Sequence, residues 1–324
     1  MYYPYLRSKQ FELIALREIS KLSGISSTVH PIIEPVTKKN ERHSESSLVR
    51  TIEMVLEKEI GLTVIINPSV GVHKEHNISD EIVNEITVFK SNNNIRLGVL
   101  LDSDFEFRNV ESKLNNLTND FEFDLIHKSR PAIITGLDSI YNYRIRNQLV
   151  GSDIKLNRYA SNENNKILLS DSFTKLDRNS DYEAIDEEFF SDTHYYYEED
   201  GYEGFGDYTL LPSDFIEKGF APRAVAIHLS RLKKQREEND SIFVKHFVSD
   251  SNETIADVAG KYGEALNKLV QSVNNGEIIR SKGVEEFLED YEMQKYPGLG
   301  TIKKRSIMHH IELMHEFLKV KIQG

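Results

Sequence analysis

The chain contains no cysteine and no tryptophan. Without cysteine it has no disulfide scaffold, no thiolate metal site and no cysteine nucleophile. No apolar run approaches the ~18 residues that span a membrane. The opening residues, MYYPYLRSKQ, lack the charged-then-apolar pattern of a secretory signal. A cytoplasmic location and no membrane partner are the expectations that follow. Positive charge is scarce as well: 40 lysines and arginines face 52 aspartates and glutamates, for a net charge of −12. Phosphate contacts supply most non-specific affinity for nucleic acid, so this balance argues against that ligand. Two local basic runs, 231–236 and 303–305, read first as solvated helix faces. Several catalytic signatures are also missing. There is no G-x-x-x-x-G-K-[ST] loop, no G-x-S-x-G elbow and no H-x-E…C-x-x-C pair.

What is present is a strand–helix rhythm. The 324 residues are 39% hydrophobic, enough for a real core, and α/β barrels reach about 250 residues as one unit. Apolar runs of strand type begin near residues 2, 31, 62, 95, 130, 166, 205 and 224. Most are continuous and not alternating, as expected of strands covered on both faces. Helical spacing fills many of the intervals, for example Phe11, Ile14, Ala15, Glu18 and Leu22 after the first run. The stretch SIYNYRIRNQLVG (139–151) is also read as helical. Eight such units predict a (β/α)8 TIM-type barrel over 1–240. A doubly wound open sheet is the alternative, but no G-x-G-x-x-G turn follows any strand. Residues 241–324 read as one extra strand and a helical C-terminal extension packed on the barrel.

In a barrel of this kind functional groups gather at the C-terminal ends of the strands. The polar residues expected there are Arg7, Lys9 and Glu12 after the first strand, Glu34 after the second and Asn67 after the third. Asp102 and Asp104 follow the fourth, Asp171 the sixth, Asp207 and Tyr208 the seventh, and His228 and Arg231 the eighth. Two chemistries could use such a set. Carboxylates with one histidine suit a hard divalent cation, magnesium or manganese, for phosphodiester or nucleotide hydrolysis. Paired carboxylates also serve glycoside hydrolysis as acid and base. Lys9, Glu12, Glu34, Asp102, Asp171, Asp207 and His228 are the catalytic candidates, and Arg7, Tyr208 and Arg231 the substrate-binding ones. The spacing of His310 and His315 is not that of a helical zinc motif. Pro297, Gly298 and Gly300 mark a turn into the last helix, where an anion could sit.

Residues 187–212 carry eight aromatic rings among many carboxylates. So many rings need burial, while the acids need water or partners. The segment is read as a long connection between the sixth and seventh strands, serving as a lid or as a partner's footprint.

Several stretches resemble the bacterial and phage "beta protein" family, in a branch found in mobile and defence-type gene neighbourhoods. They are YPYLRSKQFELIALRE, PIIEPV, FSDTH with GFGDYTLLP, AVAIHLS, VKHFVSD and YPGLGTIKKRSIMHHIEL. The resemblance places the family's Lys-x-x-Glu pair on Lys9 and Glu12, its next acid on Glu34, and its FGDY and IHL motifs on Asp207, Tyr208 and His228. It implies a barrel, a microbial setting and an anti-phage or mobile-element conflict role; beside it, the acidic-aromatic stretch and the helical C-terminal part read as a docking surface for an operon-encoded partner protein. It implies no reaction.

Overall fold

The computed structural model describes residues 1–36, 46–74, 77–133, 135–153, 157, 160, 165–215, 222–234 and 239–323. The chain divides into two compact units, 1–171 with 197–207, and 172–196 with 208–324. The domain boundary expected at 240 falls at the first residue of a strand inside the second unit.

The first unit is a closed parallel barrel of eight strands. Its first half is regular: β1 (Tyr2–Arg7), α1 (Gln10–Ile19), β2 (Ile32–Glu34), α2 (Ser47–Leu56), β3 (Leu62–Ile65), α3 (Asp80–Ile86), β4 (Ile95–Leu101) and α4 (Phe107–Leu117). α1 buries Leu13, Leu16 and Ile19, three residues apart and so on one face. Ser46 and Ser79 cap α2 and α3 by accepting the backbone N–H three residues on.

The second half departs from the expectation. The fifth strand is β5 (Phe123–His127), and 130–136 forms no strand among its described residues. Pro131, with no N–H to give a ladder, opens that run. The stretch read as a helix over 139–151 is instead part of a 3-10 turn (Leu137–Asn142) followed by β6 (Ile145–Val150). β7 (Asn165–Ser170) follows. β8 (Glu187–Ser191) and α5 (Thr193–Tyr196) belong to the second unit, and β9 (Gly204–Asp207) closes the barrel between β7 and β1. The run at 224–230, expected as the eighth barrel strand, lies in the second unit.

Register tells which side chains face inward. Arg7 pairs with Glu34, Ile32 with Thr63, Thr63 with Arg96, Gly98 with Asp124, Asp124 with Asn147, and Tyr3 with Gly206. Thr63 on β3 donates its hydroxyl hydrogen to Asp124 on β5, skipping β4. That reach is only possible across the lumen. The lower lumen is therefore polar. Asp124 is fully buried and also accepts from Arg96 Nη1 at 3.3 Å and from the Asn147 backbone at 3.1 Å. His30 Nε2 lies 2.9 Å from Thr63 Oγ1. Because that hydroxyl gives its hydrogen to Asp124, His30 must donate from Nε2. Gly206 makes room for β1: a Cβ there would sit 2.2 Å from the Tyr3 carbonyl oxygen.

The second unit holds a three-stranded antiparallel sheet in the order β10 (Ala226–Lys234), β11 (Asp240–Val248), β8. Three helices follow: α6 (Val258–Asn274), α7 (Lys282–Met293) and α8 (Leu299–Gln323). Val225, Ile227, Leu229 and Phe247 pack with Tyr262, Leu266, Leu269 and Phe287 in one apolar core. Of the basic runs, 231–234 lies on β10 and 303–305 on α8, and several of their described cations are ion-paired. Arg231 meets Glu187 at 2.9 Å, Lys304 meets Glu286 at 2.7 Å, and Arg305 pairs with Glu286 and the buried Asp290. Among the described residues no helix is long and apolar enough to cross a membrane.

Candidate functional site

At the C-terminal end of the barrel strands the Glu34 carboxylate is enclosed. Glu34, the last residue of β2, is 1% exposed. Its Oε2 accepts from the Tyr5 hydroxyl at 2.8 Å and lies 3.7 Å from Arg7 Nε. Its Oε1 accepts from the Ser69 backbone at 3.1 Å and from the Ser69 hydroxyl at 3.3 Å. Lys128, just past β5, donates to Ser69 Oγ at 3.2 Å. Strand alternation explains the grouping. Tyr5 and Arg7 lie two apart on β1, so both face the lumen, where the paired Glu34 also points. Glu34 thus has the partners a buried charge requires.

Ser69 stands between opposite charges. Its hydroxyl hydrogen is directed at the Glu34 carboxylate, and its oxygen lone pair faces an ammonium group. Lys128 is exposed while Ser69 is buried. A ligand arriving from solvent therefore meets Lys128 first and the hydroxyl behind it. Such a pairing suits an anionic group, since the ammonium held by Ser69 donates to oxygen atoms.

The other expected residues do not join this cluster. Glu12 is buried in the first turn of α1, and its Oε2 accepts from the Arg7 backbone N–H at 2.6 Å. It ties helix to strand, as an acid in a first turn often does. Lys9 stands at the N-cap of α1, where its carbonyl accepts from the Glu12 and Leu13 amides. Asn67 bonds both backbone groups of Leu100 at 2.8 Å, bridging β3 to β4. Asp102 accepts from the Asp104 amide at 3.1 Å and shapes the turn after β4. Asp104 and Asp171 are exposed. Asp207 pairs with Pro4, on the outward face of the barrel, and accepts from the Tyr2 hydroxyl at 2.8 Å. Burial beside that carboxylate holds the Tyr2 phenol well above its ordinary range. Tyr208, half-buried, accepts the Leu211 amide in a turn. His228 and Arg231 lie on β10 of the second unit, because their strand is no part of the barrel. The strand-end acids therefore do not converge on Glu34. Among the described residues no three histidine, aspartate or glutamate side chains stand where they could hold a metal ion.

Tyr5, Ser69 and Lys128 were missing from the sequence-based set. Tyr5 shares the Arg7 face of β1, a signal that strand alternation carries. Lys128 follows a strand that the apolar pattern placed seven residues late.

The rings of 187–212 are divided between the two units. Phe190, Tyr197 and Phe205 are buried, and Tyr195, Tyr196, Tyr202 and Tyr208 are half-buried. Within the barrel Phe205 stacks between Tyr2 at 5.3 Å and Tyr197 at 5.2 Å. Phe189 stands apart at 49% exposed. The segment is thus mostly core, and not one continuous lid.

No family model matches the chain, and no curated protein or solved structure does either.

Proposed function

We propose that the barrel is a hydrolase acting on a phosphodiester or nucleotide at the C-terminal mouth of the strands. The observation that carries the reading is the Ser69 hydroxyl, held between the buried Glu34 carboxylate and the Lys128 ammonium. Lys128 attracts the phosphate group, and Ser69, whose hydroxyl hydrogen goes to Glu34, holds the ammonium in place with its oxygen. Glu34 positions Ser69 and Arg7, and Tyr5 fixes the Glu34 carboxylate in turn. Preorganised donors of this kind stabilise charge that develops in a transition state. The proposal rests on these cationic and hydroxyl groups and not on the set of strand-end acids, which is dispersed. Hydrolysis of bis-p-nitrophenyl phosphate, followed by release of nitrophenolate, tests it. The expected result is turnover that falls by about 10²-fold or more in Lys128→Ala, the cost typical of removing one such donor. Turnover equal in wild type and Lys128→Ala, or no turnover in either, counts against it.

A second reading is favoured by one observation. Phe189 is exposed on β8, an edge strand, and meets the Phe243 ring edge-on at 5.7 Å. Exposed edges and aromatic anchors are what peptide and protein partners use. In this reading the chain acts with an operon-encoded partner in an anti-phage or mobile-element conflict system. Co-purification with the product of a neighbouring gene, lost on Phe189→Asp, supports it. Retention of the partner by Phe189→Asp removes that footprint.

A further inference from the structure

The lower end of the barrel, opposite the Glu34 mouth, gathers hydrogen-bond donors that the fold itself does not use. Thr63, Arg96 and Asp124 meet there across the lumen. Beside them the register between β5 and β6 breaks: Phe123 faces Ile145, but Asp124 faces Asn147. Two residues of β6 advance against one of β5, so Arg146 is the extra residue of a bulge. Phe123 precedes the lumenal Asp124 and points outward, as does Ile145 opposite it. Arg146, next along, turns to the lumenal side, and Asn147, opposite Asp124, is lumenal too. The bulge thus sets two consecutive polar side chains on one face, which an unbroken strand does not do.

The acceptors of this cluster are committed. Asp124 Oδ1 takes Arg96 Nη1 and the Asn147 backbone amide, and Oδ2 takes Arg96 Nη1 and the Thr63 hydroxyl. The Thr63 oxygen in turn takes His30 Nε2. Several donors are not committed. Asn147 is 3% exposed, and its Nδ2 is enclosed without a hydrogen-bond partner. Such a buried amide is costly and calls for an acceptor. Arg146 is exposed, and among the described residues it makes no hydrogen bond or ion pair. The Arg96 guanidinium also addresses the Tyr3 phenol oxygen. A phenol that accepts keeps its own hydrogen to give, and no described residue takes it. With Asp124 ionised, the two guanidinium groups leave this end of the lumen with one positive charge in excess.

We propose that the lower lumen is a binding site for a small monocarboxylate, held by Arg146, Asn147 and Tyr3 beside the Arg96–Asp124 pair. The two carboxylate oxygens supply the acceptors that the Arg146 fork, the Asn147 amide and the Tyr3 hydroxyl lack. One negative charge matches the one in excess, whereas a phosphate dianion would leave net negative charge beside Asp124. Burial raises the Tyr3 phenol to about 12, with Asp124 adding to the rise and Arg96 and Arg146 opposing it. Tyr3 therefore keeps its proton and serves as a donor, and the Arg146 charge is felt inside the lumen. Arg146 reaches solvent and Asn147 does not, so the carboxylate enters past Arg146. This site shares no residue with the Glu34, Ser69 and Lys128 cluster, and neither reading needs the other.

Nitrogen-15 NMR of the intact protein, titrated with sodium acetate at an ionic strength held constant with sodium chloride, tests the site. The expected result near neutral pH is that the Asn147 side-chain amide signals shift along one saturable curve. Arg146→Ala should weaken that affinity by about tenfold or more, and the fold tolerates the change because the side chain bonds to no described residue. Lys128→Ala should leave the affinity unchanged, which separates this site from the mouth. Inorganic phosphate, which carries more charge than acetate, should bind less tightly. The proposal is overturned if acetate leaves the Asn147 amide unmoved, if Arg146→Ala binds as tightly as wild type, if Lys128→Ala abolishes the shift, or if phosphate binds more tightly than acetate.

Discussion

Acidification from pH 7 to pH 5 is the perturbation to which the buried histidines respond most directly, and His309 is the cleanest case. Its Nε2 lies 2.7 Å from the Ser230 carbonyl oxygen, and its Nδ1 lies 2.8 Å from Ser281 Oγ. A carbonyl only accepts, so Nε2 carries the proton and Nδ1 accepts from the serine hydroxyl. Ser281 also caps α7 by accepting the Val284 amide at 3.2 Å. Protonating Nδ1 would turn that acceptor into a second donor facing a hydroxyl already committed to the helix end. Burial lowers the ring to about 4, against about 6.5 in an unfolded chain. The folded state therefore binds fewer protons than the unfolded state between those values. Stability is fully present above about pH 6.5 and is lost as pH falls towards about 4. For one such ring the loss is about 2 kcal/mol at pH 5, with a ceiling near 3.4 kcal/mol. Thermal unfolding followed by circular dichroism should show Tm falling by about 4–8 °C per ring between pH 7 and pH 5, at about 2–4 °C per kcal/mol for units of this size. His309→Gln should flatten the pH dependence by about one proton. A wild-type Tm unchanged over this range, or an equal slope in the variant, would refute the assignment of a neutral, geometry-fixed ring.

Glu59 and Gln294 each follow a helix in left-handed conformation, with φ of 56° and 50°, inside a closing pair of backbone bonds at the helix end. Glu59→Gly and Gln294→Gly should each stabilise by about 0.5–1 kcal/mol, since glycine takes that conformation without strain; chemical denaturation measures it, and a loss of stability would contradict the strain argument. Asp290 is buried and accepts from the Tyr262 hydroxyl at 2.9 Å while pairing with Arg305. Asp290→Ala should cost about 3–5 kcal/mol by leaving the guanidinium unmatched, and a urea midpoint close to wild type would count against that pairing. Gly206→Ala should fail to fold or unfold at markedly lower temperature, because the Tyr3 carbonyl occupies the space of the new methyl; a wild-type melting curve would show that β1 and β9 are not so close.

The first half of the barrel was legible because β1 to β4 are apolar runs separated by helices, two of them with serine caps. The second half was hidden for physical reasons. β5 and β6 carry Asp124, His127, Arg146, Asn147 and Gln148, which interrupt the apolar pattern; Asp124 is hydrogen-bonded in the lumen and His127 Nε2 meets Gln148 Oε1 at 3.0 Å. A run broken by buried polar residues does not read as a covered strand, and β9 is only four residues long. The apolar run at 224–230 was read correctly as a strand, yet nothing in its composition distinguishes a parallel barrel strand from an antiparallel one. At the site, Glu34 and Arg7 were legible as charged residues ending apolar strands. Their partners were not, because Ser69 and Lys128 come from different connections and meet only through barrel closure. Asp207 misled because its neighbours suggested a strand end, while the register turns its side chain outward to Tyr2.

The measurement that tests the central claim most directly is calorimetric titration of the protein with adenosine monophosphate, compared between wild type and Lys128→Ala. A phosphate site built on Lys128 and Ser69 predicts one-site binding in wild type that weakens by about tenfold or more when the cation is removed, the equivalent of about 1.4 kcal/mol. No binding, or equal affinity in the two proteins, would contradict it.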